Sequence, residues 1–170
     1  IEPAVQGTQA ALDVFDGLAP VPVREARGLW HGRTFPSGHP LDGVLEACGW
    51  HGKRIDDEEH VHPLVFRTVL GGRVHLRPWG ARLALARGIS ALRSPALGRL
   101  AQLLMPLLAT RRSQARLRCI DYRGKASAAI VYDRVPILDV LRRIDERRVL
   151  GLMDMKGQGR PYFFVLERES

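Results

Sequence analysis

The chain is predicted to be mainly β, a strand enclosure with helical additions, and three observations point there. The first is Gly28-Leu29-Trp30-His31-Gly32, a tryptophan set two residues from a glycine on each side. Glycine inside a strand marks a bulge or the close approach of another backbone. Tryptophan buries a large apolar body and needs a partner for its indole N–H. Together they describe a bent, twisted strand whose Trp30 plugs one end of the enclosure. The second is a closing aromatic strand, Tyr162–Arg168. The third is a hairpin signal, Arg123-Gly124-Lys125 between the strand-like runs Ala115–Tyr122 and Ala126–Tyr132.

The remaining elements follow in order within one domain, 1–170. Ala11, Leu12, Phe15 and Leu18 share a helical face, so residues 1–22 are read as a helix and linker. Pro20 and Pro22 force an extended entry into a first strand over Val23–Thr34. Pro36-Ser37-Gly38-His39-Pro40 is turn chemistry, and Leu41, Val44, Leu45 and Cys48 predict a short helix over Pro40–Cys48. Trp50–Ile55 and His60–Val69 read as strands around an acidic turn, Asp56-Asp57-Glu58-Glu59. Arg73–Leu76 and Ala81–Leu85 fit a further hairpin and complete the first half of the enclosure, 23–88.

From Ile89 to Leu108 apolar residues recur at helical spacing, broken by Pro95 and Pro106. No carboxylate stands between Glu59 and Asp121, while arginine recurs throughout that stretch. Residues 89–112 are therefore a basic amphipathic helical insertion, suited to a membrane surface or to packing with a solvated arginine face. Pro136–Ile144 fits a helix or a strand with a turn. It lies in the second half, 113–170, which Val149–Met155 and Tyr162–Arg168 close.

The formal charge of +8 favours anionic partners, namely phospholipid head groups, fatty carboxylates, nucleic acid or acidic proteins. Nucleic acid is disfavoured, because the few aromatic residues are not interleaved with the basic run. No apolar run reaches the roughly 20 residues of a membrane span, and no signal peptide is visible. The expected location is the cytoplasm, with the inner membrane surface as a peripheral station. Cys48 and Cys119 are expected to be reduced and buried.

Gly28–Gly32, followed by Ser37-Gly38-His39-Pro40-Leu41-Asp42-Gly43, resembles the bacterial GXWXG protein family. The second half resembles the domain of unknown function that accompanies it, through Tyr122-Arg123-Gly124, Ser127–Asp133, Pro136-Ile137, Leu150–Asp154 and Tyr162-Phe163-Phe164. A weaker similarity is to calycins, the lipocalins and fatty-acid-binding proteins, which carry Gly-x-Trp on their first strand. That resemblance implies a lipocalin-like antiparallel β-barrel, with Arg168 of the last strand packing over Trp30.

On this reading the protein carries or senses a fatty acid, phospholipid or similar hydrophobic anionic ligand inside the barrel. Trp30 seals the floor. Phe35, Leu45, Phe66, Tyr122, Ile130, Tyr132, Met153, Tyr162 and Phe164 are the expected wall, and Arg67, Arg118 or Arg123 the partner of an anionic head group. The alternative is a small enzyme acting on a lipid- or polyketide-like substrate, with His39, Asp42 and Asp133 as acid and base. His60 and His62 are weak candidates for a metal, expected on one face of a strand. No cofactor is expected: haem-binding calycin relatives use a histidine near the C-terminus, and the last one here is His75. A homodimer is left open.

Overall fold

The computed structural model describes residues 7–69, 71–78 and 94–170. Its strands are β1 (Ala19–Pro20), β2 (Gly28–Thr34), β3 (Trp50–Ile55), β4 (Val61–Arg67), β5 (Arg73–His75), β6 (Ala115–Tyr122), β7 (Lys125–Tyr132), β8 (Ile137–Arg143), β9 (Arg148–Met155) and β10 (Tyr162–Arg168). Apart from β1, which pairs with β8, and β5, which pairs with β4, they run as an antiparallel meander. β10 pairs back onto β2, so eight strands close into a calycin-like barrel. Closure removes the unpaired edges that an open sheet would present.

The alternation of the strands divides the apolar residues into two clusters. Trp30, Trp50, Phe66, Leu117, Ile130, Tyr132, Tyr162 and Phe164 belong to the one inside the barrel. Phe35, Ala129, Val140, Leu150, Leu152, Phe163 and Val165 face outward, and α1 (Thr8–Gly17) covers them with Ala11 and Phe15. Beneath α1 the fully buried Arg142 lies 4.8 Å from the Phe15 ring and donates to the carbonyls of Tyr122 and Lys125.

Several boundaries differ from the sequence reading. Val23–Glu25 is a 3-10 turn, so the first long strand starts at Gly28. The helix expected over Pro40–Cys48 shrinks to one turn, α2 (Val44–Ala47), because Asp42 holds the preceding loop in a turn. The ambiguous Pro136–Ile144 is strand β8. In the insertion, α3 (Pro95–Leu104) runs into a 3-10 turn over Met105–Leu108. Ala81–Leu85 and the start of the Ile89–Leu108 stretch lie outside the described residues. Cys48 is buried as expected, but Cys119 is exposed, because β6 extends beyond the barrel contacts made by Ala115 and Leu117. Among the described residues no helix is long and apolar enough to cross a membrane.

The seam between β4 and β6 is the weakest in the barrel. A single residue pair, Val61 with Ala115, joins them, against eight pairs between β6 and β7.

Candidate functional site

The floor of the barrel follows from the glycine–tryptophan motif. Trp30 is buried and its Nε1–H donates to the Ala26 carbonyl at 2.8 Å. The Arg168 guanidinium lies 4.3 Å from the Trp30 ring and donates to the carbonyls of Arg27 and Glu25. Gly28 makes room for it: a Cβ there would stand 2.8 Å from Arg168 Nη1, at a φ of +127° that side chains disfavour. Gly32 leaves space for the Trp50 ring in the same way. The motif is thus a joint between the first long strand and the last.

Above the floor lies a polar group that the sequence reading missed. Lys53 and Asp139 are buried inside the barrel, 3% and 0% exposed. Lys53 Nζ donates to Asp139 Oδ2 at 2.8 Å, to the Pro63 carbonyl at 3.2 Å and to Tyr132 Oη at 3.3 Å. Tyr132 in turn donates to Asp139 Oδ2 at 2.9 Å. Burial, reinforced by the Asp139 carboxylate, pushes the Tyr132 phenol well above its ordinary range, so it remains a donor. The ammonium also lies over the Phe164 ring at 4.7 Å and beside Trp50. Asp139 Oδ1 and Trp50 Nε1 are two of the seven buried side-chain polar atoms that lack a hydrogen-bond partner among the described residues.

Lys53 was hidden by a β-bulge. Strict alternation sets Trp50 and Lys53 on opposite faces of β3, but the register against β4 shifts around Gly52 and both turn inward. Asp139 carried a legible signal, a lone carboxylate in the apolar run Ile137-Leu138-Asp139-Val140-Leu141.

The expected wall residues divide. Trp30, Phe66, Ile130, Tyr132, Tyr162 and Phe164 line the interior, with Leu45 and Met153 partly buried against them. Phe35 instead packs outside, its ring 6.4 Å from Phe163, and Tyr122 is outside with its hydroxyl on Asp154 at 3.1 Å. The three arginines expected to meet a head group point away from the interior. Arg67 donates to His51 Nδ1, Arg118 to Glu59, and Arg123 to Asp16. Arg67 and Arg118 take the solvent face of β4 and β6, and Arg123 the turn after β6, where desolvation costs nothing.

The expected acid and base are not assembled. Asp42 Oδ2 accepts the backbone N–H groups of Ser37, Gly38 and His39, which is a turn-forming role. His39 Nδ1 accepts from the Leu41 N–H, and its ring packs on Tyr162. Asp133 lies exposed on another loop, paired with Arg116 at 2.8 Å.

The weak metal pair also separates. His60 precedes β4 and bonds Asp57, while His62 is buried against His75, their rings 3.9 Å apart. Among the described residues, His31, His51 and Glu169 bring ligand atoms within 4.8 Å of one another. Their surroundings oppose a cation. Arg67 Nε–H donates to His51 Nδ1 at 3.1 Å, which leaves the proton of a neutral ring on Nε2, facing Glu169 at 2.5 Å. Arg73 also pairs with Glu169, so the carboxylate is already neutralised.

Burial holds His39, His51, His62 and His75 below the ordinary histidine value of 6.5, Glu169 only partly opposing it at His51. Above that value these rings are neutral in the folded and unfolded chain alike and contribute no pH dependence. Below it the unfolded chain takes up protons first, so stability falls with falling pH. Urea midpoints are expected to decline between pH 6.5 and pH 5, before the carboxylates titrate, because these four buried rings outweigh exposed His60, which its hydrogen bond to Asp57 holds above that value. A midpoint constant across that interval would contradict the burial of these rings.

The fold and floor together define an eight-stranded calycin-like barrel, closed at one end by a Trp–Arg stack. Residues 13–71 match the GXWXG protein family, and residues 113–168 match a domain of unknown function, DUF4334. A protein from Thermomonospora curvata, known from its crystal structure, is 31% identical, with a TM-score of 0.71 over 98% of this chain and 92% of that one. No curated protein matches the chain. The chain belongs to the family that joins a GXWXG segment to a DUF4334 domain.

Proposed function

We propose that the barrel binds a small amphiphile whose polar head meets the Lys53–Asp139–Tyr132 group. The observation that carries this reading is the pair of unpartnered buried atoms, Asp139 Oδ1 and Trp50 Nε1, beside a buried ion pair. A buried ion pair seldom stabilises a protein better than apolar residues of the same volume would. An unsatisfied buried polar atom costs about 1–3 kcal/mol. A binding site explains both, since convergent polar groups in an apolar container are how small ligands are oriented.

The chemistry narrows the ligand. Asp139 already neutralises Lys53, so the site favours an uncharged head over a bare anion. Asp139 Oδ1 requires a donor and Trp50 Nε1 an acceptor, which a protonated carboxylic acid, an alcohol or a carboxamide supplies. The apolar tail would lie among Phe66, Leu117, Ile130 and Phe164. These side chains fill much of the interior, so entry requires them to move. The thinly paired β4–β6 seam and a cleft of about 280 Å³ lined by Tyr132, Ile137 and Lys156 are the approaches that support this.

Native mass spectrometry of protein purified without added ligand tests the reading. So does tryptophan fluorescence on titration with a long-chain carboxylic acid, alcohol and primary amide. A co-purifying mass or a saturable response is expected, abolished in the Lys53→Met/Asp139→Leu variant. A clean apo mass with no response to any of the three probes would sink it.

A further inference from the structure

The segment between β5 and β6 carries an apolar ridge turned to solvent. On α3 and the turn after it, Leu97, Leu100, Leu103, Leu104, Leu107 and Leu108 are all exposed, Leu107 to 81%. The helix is tethered on its other side, where Gln102 donates to the Ala47 carbonyl and Met105 is buried. A contiguous apolar surface of this kind marks an interaction site.

Charge indicates what covers it. Arg99 lies on α3, and Arg111 and Arg112 follow the turn. Arg77 is brought alongside by the bridge between Leu76 and Ala109. All four are exposed, and none has a carboxylate partner among the described residues. Elsewhere on the surface arginines are held by acids, Arg27 by Glu58, Arg116 by Asp133 and Arg123 by Asp16. The sequence places no carboxylate between Glu59 and Asp121. A second copy of this chain would bring the unpaired cations face to face, an arrangement that like charge opposes.

We propose that α3 and the turn following it dock on the surface of an anionic phospholipid bilayer, leucines in the acyl boundary and Arg77, Arg99, Arg111 and Arg112 on the phosphates. An apolar ridge rimmed by unpaired guanidiniums is the pattern that interfacial helices use. The surface lies outside the barrel, so this proposal stands or falls separately from the ligand reading.

Flotation of the full chain with vesicles of phosphatidylcholine, alone or mixed with phosphatidylglycerol, provides the test. The chain should float with the mixed vesicles and not with the neutral ones, and salt should weaken the association. Arg111→Ser/Arg112→Ser should reduce affinity about fivefold for each arginine removed. Leu103→Ser/Leu107→Ser should abolish flotation while leaving the thermal midpoint unchanged, since neither leucine is buried. Failure of the parent chain to float overturns the proposal, as does a leucine variant that floats as well as the parent. A dimer in sedimentation that the leucine substitutions split, without vesicle binding, would instead assign the ridge to a second copy.

Discussion

Asp139→Leu is expected to lower the free energy of unfolding by about 3–5 kcal/mol, the usual cost of stranding one member of a buried ion pair. The urea midpoint reports it, provided the slope is unchanged. Lys53 is 3% exposed, and without Asp139 its ammonium retains only the Pro63 carbonyl and the Tyr132 hydroxyl. The combined Lys53→Met/Asp139→Leu variant should regain stability to within about 1 kcal/mol of the parent or exceed it, because an apolar pair of similar volume needs no desolvation. The two results together separate structural from functional roles. If the double variant is as stable as the parent, the ion pair is not there for stability, and loss of ligand in that variant then reports on binding. A single substitution costing less than about 1 kcal/mol would show that water reaches Lys53.

The strands were legible because their signals are local, while their closure into a barrel followed from the calycin resemblance. Turn glycines and prolines, the hairpin at Arg123-Gly124, and the aromatic strand Tyr162–Arg168 all act over a few residues. The stacking of Arg168 over Trp30 followed from a resemblance and is present at 4.3 Å. The interior was legible only in part. Trp30, Ile130, Tyr132, Tyr162 and Phe164 face inward because β2, β7 and β10 alternate without interruption, and Phe66 faces inward although β4 is irregular against β3. Phe35 and Tyr122 each stand five residues beyond an inward-facing residue, Trp30 and Leu117, so alternation already sends them to the outer layer under α1, and counting them as wall overrode that signal. Lys53 is the sharper case. One bulged residue reverses the facing of every residue beyond it, so a basic side chain that counts as exposed by alternation becomes the centre of the molecule. Arg142 was missed for a different reason, since its burial depends on a helix more than 100 residues earlier in the chain.

Gly32→Ala should cost about 3 kcal/mol, the upper range for overpacking a filled core, read as a lowered thermal midpoint. A Cβ at this position would lie 2.4, 2.6 and 2.8 Å from Cη2, Cζ3 and Cζ2 of Trp50, distances no real contact attains. All three atoms belong to the far side of one indole, so shortening that side chain should relieve the clash. Gly32→Ala/Trp50→Phe is therefore expected to be more stable than the sum of its single substitutions implies, by about 0.5–3 kcal/mol of coupling. Gly52→Ala offers the contrast. Its Cβ would meet the Trp30 carbonyl oxygen at 2.0 Å and the Gly32 nitrogen at 2.7 Å, at a φ of +144°. Those are backbone atoms of the paired strand, and no trimming of a side chain moves them, so Trp50→Phe should leave the Gly52→Ala penalty unchanged. Rescue at Gly32 without rescue at Gly52 would establish that the second motif glycine exists to seat Trp50. Equal response at both positions would mean that the constraint is the backbone approach of β2 and β3 alone.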